Sequence, residues 1–324
     1  MQRRYLIQIL SGLIGILLIL LMFWALDLSL SSVLELPQMT PLWVLFAVAA
    51  LTGANQLLGV MKWKLAAAQL APGADAPDVL QMARITTIGT LFAQIIPMPV
   101  SMALTRWLLA TRQLRASGFA ARSTFYEQVF DIVIMVCTGL ASLAMWLFGV
   151  PGGGALAILV ITCAISLFAV RSILDLFHRL TGWLAARRFA AAKFEQASDI
   201  FAMARDTPFH QCLLQSALSL CRLVLQLMRV LLLVTTFIPD IDVLALLIAS
   251  PAVILIGLIP LTPGGLGVIE WTWSSFLISL GASVQMAALV ALVFRVFVFI
   301  ELALVFTVLT AMRLVVNRLC GGRG

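Results

Sequence analysis

Apolar stretches of about 20 residues recur from one end of this sequence to the other. At 1.5 Å per residue, a helix of that length crosses the ~30 Å hydrocarbon core of a bilayer. Only 11% of the 324 residues are charged, whereas a soluble domain has about 25%. The sequence therefore predicts an all-α, polytopic integral membrane protein that forms a single membrane domain over residues 1–324.

Six segments are apolar and long enough to be full spans. They are residues 5–26, 41–61, 124–149, 153–170, 210–237 and 284–312. Two further apolar regions, 85–109 and 243–281, are interrupted by prolines. The first span follows Arg3 and Arg4 as a signal peptide would, but it is too long for one and no small-residue cleavage site follows. We interpret it as a retained helix.

Lys and Arg are concentrated in particular connections between these segments, which the positive-inside rule assigns to the cytoplasm. They are Arg3/Arg4, Lys62/Lys64/Arg84, Arg112/Arg115/Arg122, the stretch 171–205 and Arg313/Arg318/Arg323. The opposite connections carry Asp27, Glu35, Asp240 and Asp242. The pattern predicts a multi-pass protein of the inner (cytoplasmic) membrane with both termini in the cytoplasm. It also explains the net charge of +7 without nucleic acid as a partner.

The two proline-broken regions are predicted to be re-entrant hairpins. Region 85–109 has cytoplasmic charges at both ends, so it should enter from the cytoplasm, turn at 97–99 and leave by the same face. Region 243–281 follows an acidic connection and should enter from the opposite face, turning at 260–265.

The chain then divides into two similar halves, residues 1–149 and 150–324. Each half has two spans, a hairpin and a third span, and because three crossings is an odd number, the second half is inverted relative to the first. In both halves a charged residue followed by a tryptophan comes seven residues after a hairpin proline. Inverted repeats of this kind are typical of transporters.

The connector at about 171–209 joins the two spans of the second half and is predicted to contain an amphipathic helix on the inner membrane surface. Its apolar residues at helical spacing are Ile173, Phe177, Leu180 and Leu184, opposite Arg179, Arg187 and Arg188. A passive, lipid-anchored connector is the favoured interpretation, and a binding role is the alternative.

The hairpin tips are the first candidate site. Non-helical backbone is tolerated at membrane depth only where protein or water covers it, so both tips should meet in the protein interior. The helices that begin after Pro99 and after Gly265 would point their positive N-termini at the midplane, which suits an anion such as phosphate. The glycines Gly264, Gly265 and Gly267 would allow close approach of a ligand or backbone; alternatively, they and Pro263 would only form the turn.

Charged residues inside apolar segments cost ~2.5–3.5 kcal/mol each and are therefore functional candidates. Arg106 and Glu270 lie about two turns from their hairpin tips. Glu127 and Asp131 lie one turn apart, within reach of Arg106, and Arg295 should be within reach of Glu270. We expect two ion pairs of opposite polarity; the alternative is that these pairs only hold helices together.

Span 210–237 carries a polar stripe along one helical face. Its members are Gln215, Arg222, Gln226 and Arg229. The arginines of such a stripe must face partners or a polar track. Arg229 could instead snorkel to the outer interface, but Arg222 is too central for that and is a candidate for handling an anion, with Gln226 beside it. Asn55 and Gln56 are expected to form interhelical hydrogen bonds or to line the same cavity.

The motifs of the common enzyme classes are missing from the sequence. It has no nucleophile elbow, P-loop or dinucleotide fingerprint, and with two histidines and no C-x-x-C pair among five cysteines it has no metal-ligand pattern. We therefore expect no enzymatic activity, no cofactor and no metal.

The segment Leu258 to Trp271 reads LIPLTPGGLGVIEW and contains the pattern P-x-x-P-G-G-x-G-x-x-E. It resembles the signature of the lysylphosphatidylglycerol synthetase transmembrane-region family, which includes the flippase half of the multiple peptide resistance factor and stand-alone flippase-like proteins. Arg295 stands where the family has an arginine in the following helix, and Arg106 and Glu127 also match. The chain departs from the family at two places. Residues 94–106 lack the glycines that the family has there, and Gln128 stands where an arginine is usual.

The resemblance implies movement of lipids with polar or charged headgroups between leaflets, such as aminoacylated phospholipids, polyprenyl-linked sugars or hopanoid-type lipids. The soluble synthase domain is absent from this chain, so we expect no lipid synthesis. The expected partners are membrane lipids and a separate lipid-modifying or glycosyl transferase. Two alternatives stay open: a non-catalytic membrane subunit of a lipid or glycolipid biosynthetic enzyme, and a secondary transporter of small anions.

Overall fold

The computed structural model describes residues 2–70, 78–96, 98–114, 117–186, 198–199, 201–259 and 261–321. Over these ranges the regular secondary structure is helical. The helices are α1 (Gln2–Ala25), α2 (Leu30–Met39), α3 (Leu42–Leu70), α4 (Val79–Phe92), α5 (Met98–Leu114), α6 (Ser117–Leu147), α7 (Gly152–Phe168), α8 (Val170–Ala186), α9 (Phe209–Phe237), α10 (Val243–Gly257), α11 (Val268–Ser279) and α12 (Val284–Gly321).

Four of these helices, α3, α6, α9 and α12, are long and apolar enough to cross a membrane. They coincide with four of the predicted spans. The other two predicted spans correspond to α1 and α7, each followed by a sharp bend, of 89° into α2 and 77° into α8. If each bent pair is one span, the described residues contain up to six. The prediction of a polytopic, all-α membrane protein is confirmed.

Helices α4 and α5 pack against each other along the first proline-broken region. The Ser101 hydroxyl donates a hydrogen bond of 2.6 Å to the carbonyl of Gly89. A Cβ on Gly89 would lie 2.6 Å from the sulfur of Met102, so this side chain would have to move aside. The two helices therefore form the expected hairpin; Pro97, one of its predicted turn residues, lies outside the described residues.

Helices α10 and α11 form the second hairpin, joined through a 3-10 turn at Pro263–Gly265. Asp242 caps the start of α10 by accepting a hydrogen bond of 2.9 Å from the backbone N–H of Leu244. Residues just before α10, including Asp240, and just after α11, including Ser283, line one cavity of about 250 Å³. The beginning and the end of this hairpin thus lie side by side.

This proximity makes a labelling prediction. In a background free of the native cysteines, Asp240→Cys and Ser283→Cys should both react with a membrane-impermeant maleimide added outside intact cells, since both positions are exposed and line the same cavity. If one of the two reacts only after permeabilisation, the segment between them crosses the membrane and is not a re-entrant hairpin.

The connector of the second half contains a helix, α8, as predicted, but part of its predicted apolar face was assigned wrongly. Ile173 and Phe177 pack against the helix bundle, where Phe177 stacks on Phe201 with ring centroids 5.4 Å apart. The exposed apolar face instead carries Leu176, Leu180 and Trp183. The other predicted members, the side chain of Leu184 together with Arg187 and Arg188, lie outside the described residues.

The second hairpin is enclosed by other helices. The largest buried apolar cluster combines side chains of α10 and α11 with others from α1, α2, α3, α9 and α12. Side chains of these helices cover most of the hairpin and leave Ile259 and Leu261 near its tip exposed, and this cover lets its broken backbone and its charged residues be tolerated inside the membrane domain.

Candidate functional site

The tips of the two hairpins touch. Gly264 packs so closely on the first tip that a Cβ on it would overlap the carbonyl of Gln94. The guanidinium of Arg295 joins the tips, since its Nη1 donates to the carbonyl of Gln94 at 3.3 Å and its Nη2 to that of Gly264 at 3.2 Å. The structure therefore has the contact between hairpin tips that the sequence predicts.

Glu270 occupies the start of α11. One of its carboxylate oxygens accepts a hydrogen bond of 2.6 Å from the backbone N–H of Gly267, and the other accepts one from Nε of Arg295. The expected contact of Glu270 with Arg295 is present. The carboxylate also fills the place at the positive end of the helix where an external anion was expected.

The glycines of the second tip approach protein groups rather than an open cavity. A Cβ on Gly265 would overlap the side chain of Ile269. A Cβ on Gly267 would lie 2.9 Å from the carbonyl of Gly15 in α1. Pro263 faces α1 too, since a Cβ on Gly12 would lie 4.0 Å from its ring. The small residues let backbones pack closely, which is one of the two expected roles.

Arg106 and Glu127 form a second ion pair, with 2.6 Å between Nη1 and Oε1. Both side chains are buried, with exposed fractions of 0% and 2%. The guanidinium lies over the indole ring of Trp63, 4.2 Å from its centroid, which adds a cation–π interaction. Nη1 also donates to the hydroxyl of Thr124. The expected contact of Arg106 with Glu127 is therefore present.

Asp131 pairs with Lys62 and Arg222 rather than with Arg106. The charge pattern of the sequence placed Lys62 among the cytoplasmic loop charges, because the predicted span ended at residue 61. Helix α3 instead continues to Leu70, and the side chain of Lys62 is completely buried. The clue in the sequence was that Lys62 is followed at once by an apolar tryptophan, Trp63, within a helix-forming run.

The polar stripe of α9 lies against α3 and α12. Arg222 donates from Nε to Oδ1 of Asn55 at 2.8 Å. Arg229 donates from Nε to Oε2 of Glu301 at 2.6 Å, and the hydroxyl of Thr52 donates to the same oxygen at 2.5 Å. The snorkelling interpretation of Arg229 is therefore wrong, because a buried carboxylate holds the side chain inside.

The glutamines of α3 and α9 lie along the same interface. Gln56 accepts from the hydroxyl of Thr90, so with the bond of Asn55 to Arg222 both expected interhelical hydrogen bonds are present. Gln215 donates to the backbone carbonyl of Lys62 at 3.2 Å. Gln226, half-buried between the two arginines of the stripe, has no hydrogen bond to the described residues. Sequence reasoning missed Glu301, although an acidic residue in an apolar span was itself an indication.

Each half of the chain contributes two buried ion pairs from equivalent elements. The first pair joins the second helix of the hairpin to the third span, as Arg106–Glu127 and Glu270–Arg295 do. The second joins the second span to the third span: Lys62 with Asp131, and Arg229 with Glu301. Lys62 and Arg229 even stand at the same distance from the starts of α3 and α9. This correspondence supports the division at residues 149 and 150, which stays a prediction.

The family model described as "Lysylphosphatidylglycerol synthase TM region" matches residues 8–305. No curated protein and no solved structure gives a match. The matched region includes both hairpins and the ion pairs described above.

Proposed function

The chain belongs to the lysylphosphatidylglycerol synthase transmembrane-region family, and we propose that it is a flippase-like protein that moves lipids with polar or anionic headgroups between the two leaflets. Members of this family are membrane proteins associated with lipid modification or flipping. The proposal assigns the second of these roles to this chain.

The contact between the two hairpin tips is the main support for the proposal. It brings broken backbone and a charged side chain, Arg295, to the point where the two hairpins meet inside the membrane domain. Charged and polar groups are costly within a bilayer and typically mark the path of a polar substrate. A headgroup that crosses the membrane needs such a path, whereas its acyl chains can stay in lipid.

The polar groups between α3 and α9 extend this path. Arg222 of α9 bonds Asn55 of α3 directly, and it shares the carboxylate of Asp131 with Lys62 of α3. Arg229 of α9 shares the carboxylate of Glu301 with Thr52 of α3. A headgroup could exchange hydrogen bonds along this row without leaving polar surroundings. In the same scheme the buried pairs Arg106–Glu127 and Glu270–Arg295 act as alternating gates, one in each half of the chain.

Transport across a bilayer tests the proposal. Purified protein in liposomes should accelerate the movement of a fluorescent phosphatidylglycerol from the inner to the outer leaflet, measured by bleaching with an impermeant reductant. Arg295→Ala should slow this movement at least tenfold, because the side chain holds both tips and pairs with Glu270. A tenfold change corresponds to about 1.4 kcal/mol in the barrier.

Arg318→Ala is the matched control, since Arg318 lies on the same helix with an exposed side chain. It should move lipid at the wild-type rate. The proposal fails if the wild-type protein moves no candidate lipid, or if folded Arg295→Ala is as active as the control. A modified lipid formed in detergent, where there is no second leaflet, would instead identify a lipid-modifying enzyme. Counterflow of a water-soluble anion would identify a small-anion transporter.

A further inference from the structure

The ion pairs around Asp131 form one network with an excess of positive charge. Its titratable members are Lys62, Arg106, Arg222, Glu127 and Asp131, each counted in its charged form. Lys62 connects the two pairs, because it contacts the carboxylate of Asp131 and donates a hydrogen bond of 3.0 Å to the backbone carbonyl of Glu127. Three cations face two anions, so among the described residues the network carries a net charge of +1.

The surroundings of Lys62 suit an ammonium group. Its Nζ has three partners: Asp131, the carbonyl of Glu127 and the hydroxyl of Ser219. The carboxylate and the carbonyl only accept hydrogen bonds, and the Ser219 hydroxyl gives its own hydrogen to the carbonyl of Gln215. Lys62 is thus placed to donate all three bonds, which is the number of N–H donors that an ammonium group has.

Arg222 is the cation of the network that is most accessible from outside. Its Nε is bonded to Asn55 and its Nη1 to Asp131, while Nη2 has no partner among the described residues. The side chain is 14% exposed and that of Asp131 is 19%, whereas Lys62 and Arg106 are at 0%. The accessible edge of the network thus presents a guanidinium with a free donor.

We propose that the network of Lys62, Arg106, Arg222, Glu127 and Asp131 is a binding site for the monoanion of a phosphate ester, and that it favours net-anionic lipids over net-cationic, aminoacylated ones. One negative charge on the ligand neutralises the network, and its phosphate oxygens can accept from Nη2 of Arg222. A cationic aminoacyl headgroup would add a second uncompensated charge. The inference deepens the proposed function by naming its substrate class.

Binding to the purified full chain in neutral detergent tests this inference. The probes are short-chain phosphatidylglycerol, its lysylated derivative, short-chain phosphatidylcholine and inorganic phosphate, with affinities taken from the rise in melting temperature. Wild-type protein should bind phosphatidylglycerol about tenfold tighter than the other two lipids, because one unit of charge acts at short range in a weakly screened interior. Phosphate in place of lipid would show whether the source of the anion is a free ion.

Lys62→Gln brings the network to zero and should abolish the preference for phosphatidylglycerol. Asp131 still has Arg222 as a partner in this variant, so we expect it to fold. Asp131→Asn brings the network to +2 and should strengthen the preference for phosphatidylglycerol. Lys64→Gln, an exposed lysine two residues along the same helix, is the matched control and should leave the preference unchanged.

Equal binding of all three lipids, or an unchanged preference in Lys62→Gln, would overturn the inference. Tight binding of inorganic phosphate that also depends on Lys62 would support the anion site and assign it to a free ion. Because the assay has no second leaflet, Lys62-dependent binding without lipid movement in liposomes would reject the flippase proposal and keep this site. Lipid movement that is unchanged in Lys62→Gln, together with binding that does not depend on Lys62, would keep the flippase proposal and reject this site.

Discussion

Gly264→Ala should lower the free energy of unfolding by about 2–5 kcal/mol and stop lipid movement in liposomes. Two costs add at this position. Gly264 has a φ of 59°, in the left-handed region that alanine occupies at a cost of about 1–2 kcal/mol. The new Cβ would also overlap the carbonyl of Gln94, a backbone atom that cannot rotate aside, so the hairpin tips must separate.

Gly149→Ala separates these two costs. Gly149 has a similar φ, of 62°, but a Cβ there would have nothing within 4 Å. This control should show only the conformational cost of about 1–2 kcal/mol. Both variants can be compared by chemical unfolding in mixed micelles. Equal, small losses of unfolding free energy in the two variants would mean that the hairpin tips are not in contact. The candidate site at that contact would then be wrong.

Arg106→Met should destabilise the protein by about 3–5 kcal/mol, because it leaves the carboxylate of Glu127 buried without its cation. The double variant Arg106→Met/Glu127→Met should recover most of this loss, since replacing both members of a buried pair by apolar groups is often close to neutral. The contact of Lys62 with this region uses the backbone carbonyl of Glu127, so it should survive in both variants.

The double variant distinguishes a gate from a purely structural pair. If the pair is a gate, the double variant is folded and stable but moves lipid at least tenfold more slowly than the wild type. Wild-type movement in the stable double variant would show that the pair only holds α5 against α6. Losses of stability that simply add in the double variant would contradict the coupling between the two side chains.

The parts of the fold that depend on hydropathy and on proline were predictable from the sequence. A spanning helix needs a long apolar segment whatever its surroundings, and a proline removes a backbone donor whatever its neighbours. Depth in the membrane was enough to predict the contacts of Arg106 with Glu127 and of Glu270 with Arg295. In both cases the two residues lie on adjacent elements of the same half.

Contacts that depend on how the helices rotate and where they end could not be predicted in this way. Lys62 lies one residue past the predicted end of its span, where a charge ordinarily reaches water, and only packing against α6 and α9 buries it. The same holds for Arg229, whose partner Glu301 is on a helix far away in the sequence. The face of α8 that turns toward the bundle likewise depends on Phe201, beyond the helix itself.

The docking of α1 on the second hairpin imposes an order on biogenesis. The indole N–H of Trp271 donates to the carbonyl of Leu18, a residue synthesised 253 positions earlier. At ordinary elongation rates the first helix waits on the order of ten to fifty seconds for that surface to leave the ribosome. During this interval the glycine-bearing face of α1 lies in the bilayer without its native neighbour, where insertion factors can act on the newborn chain.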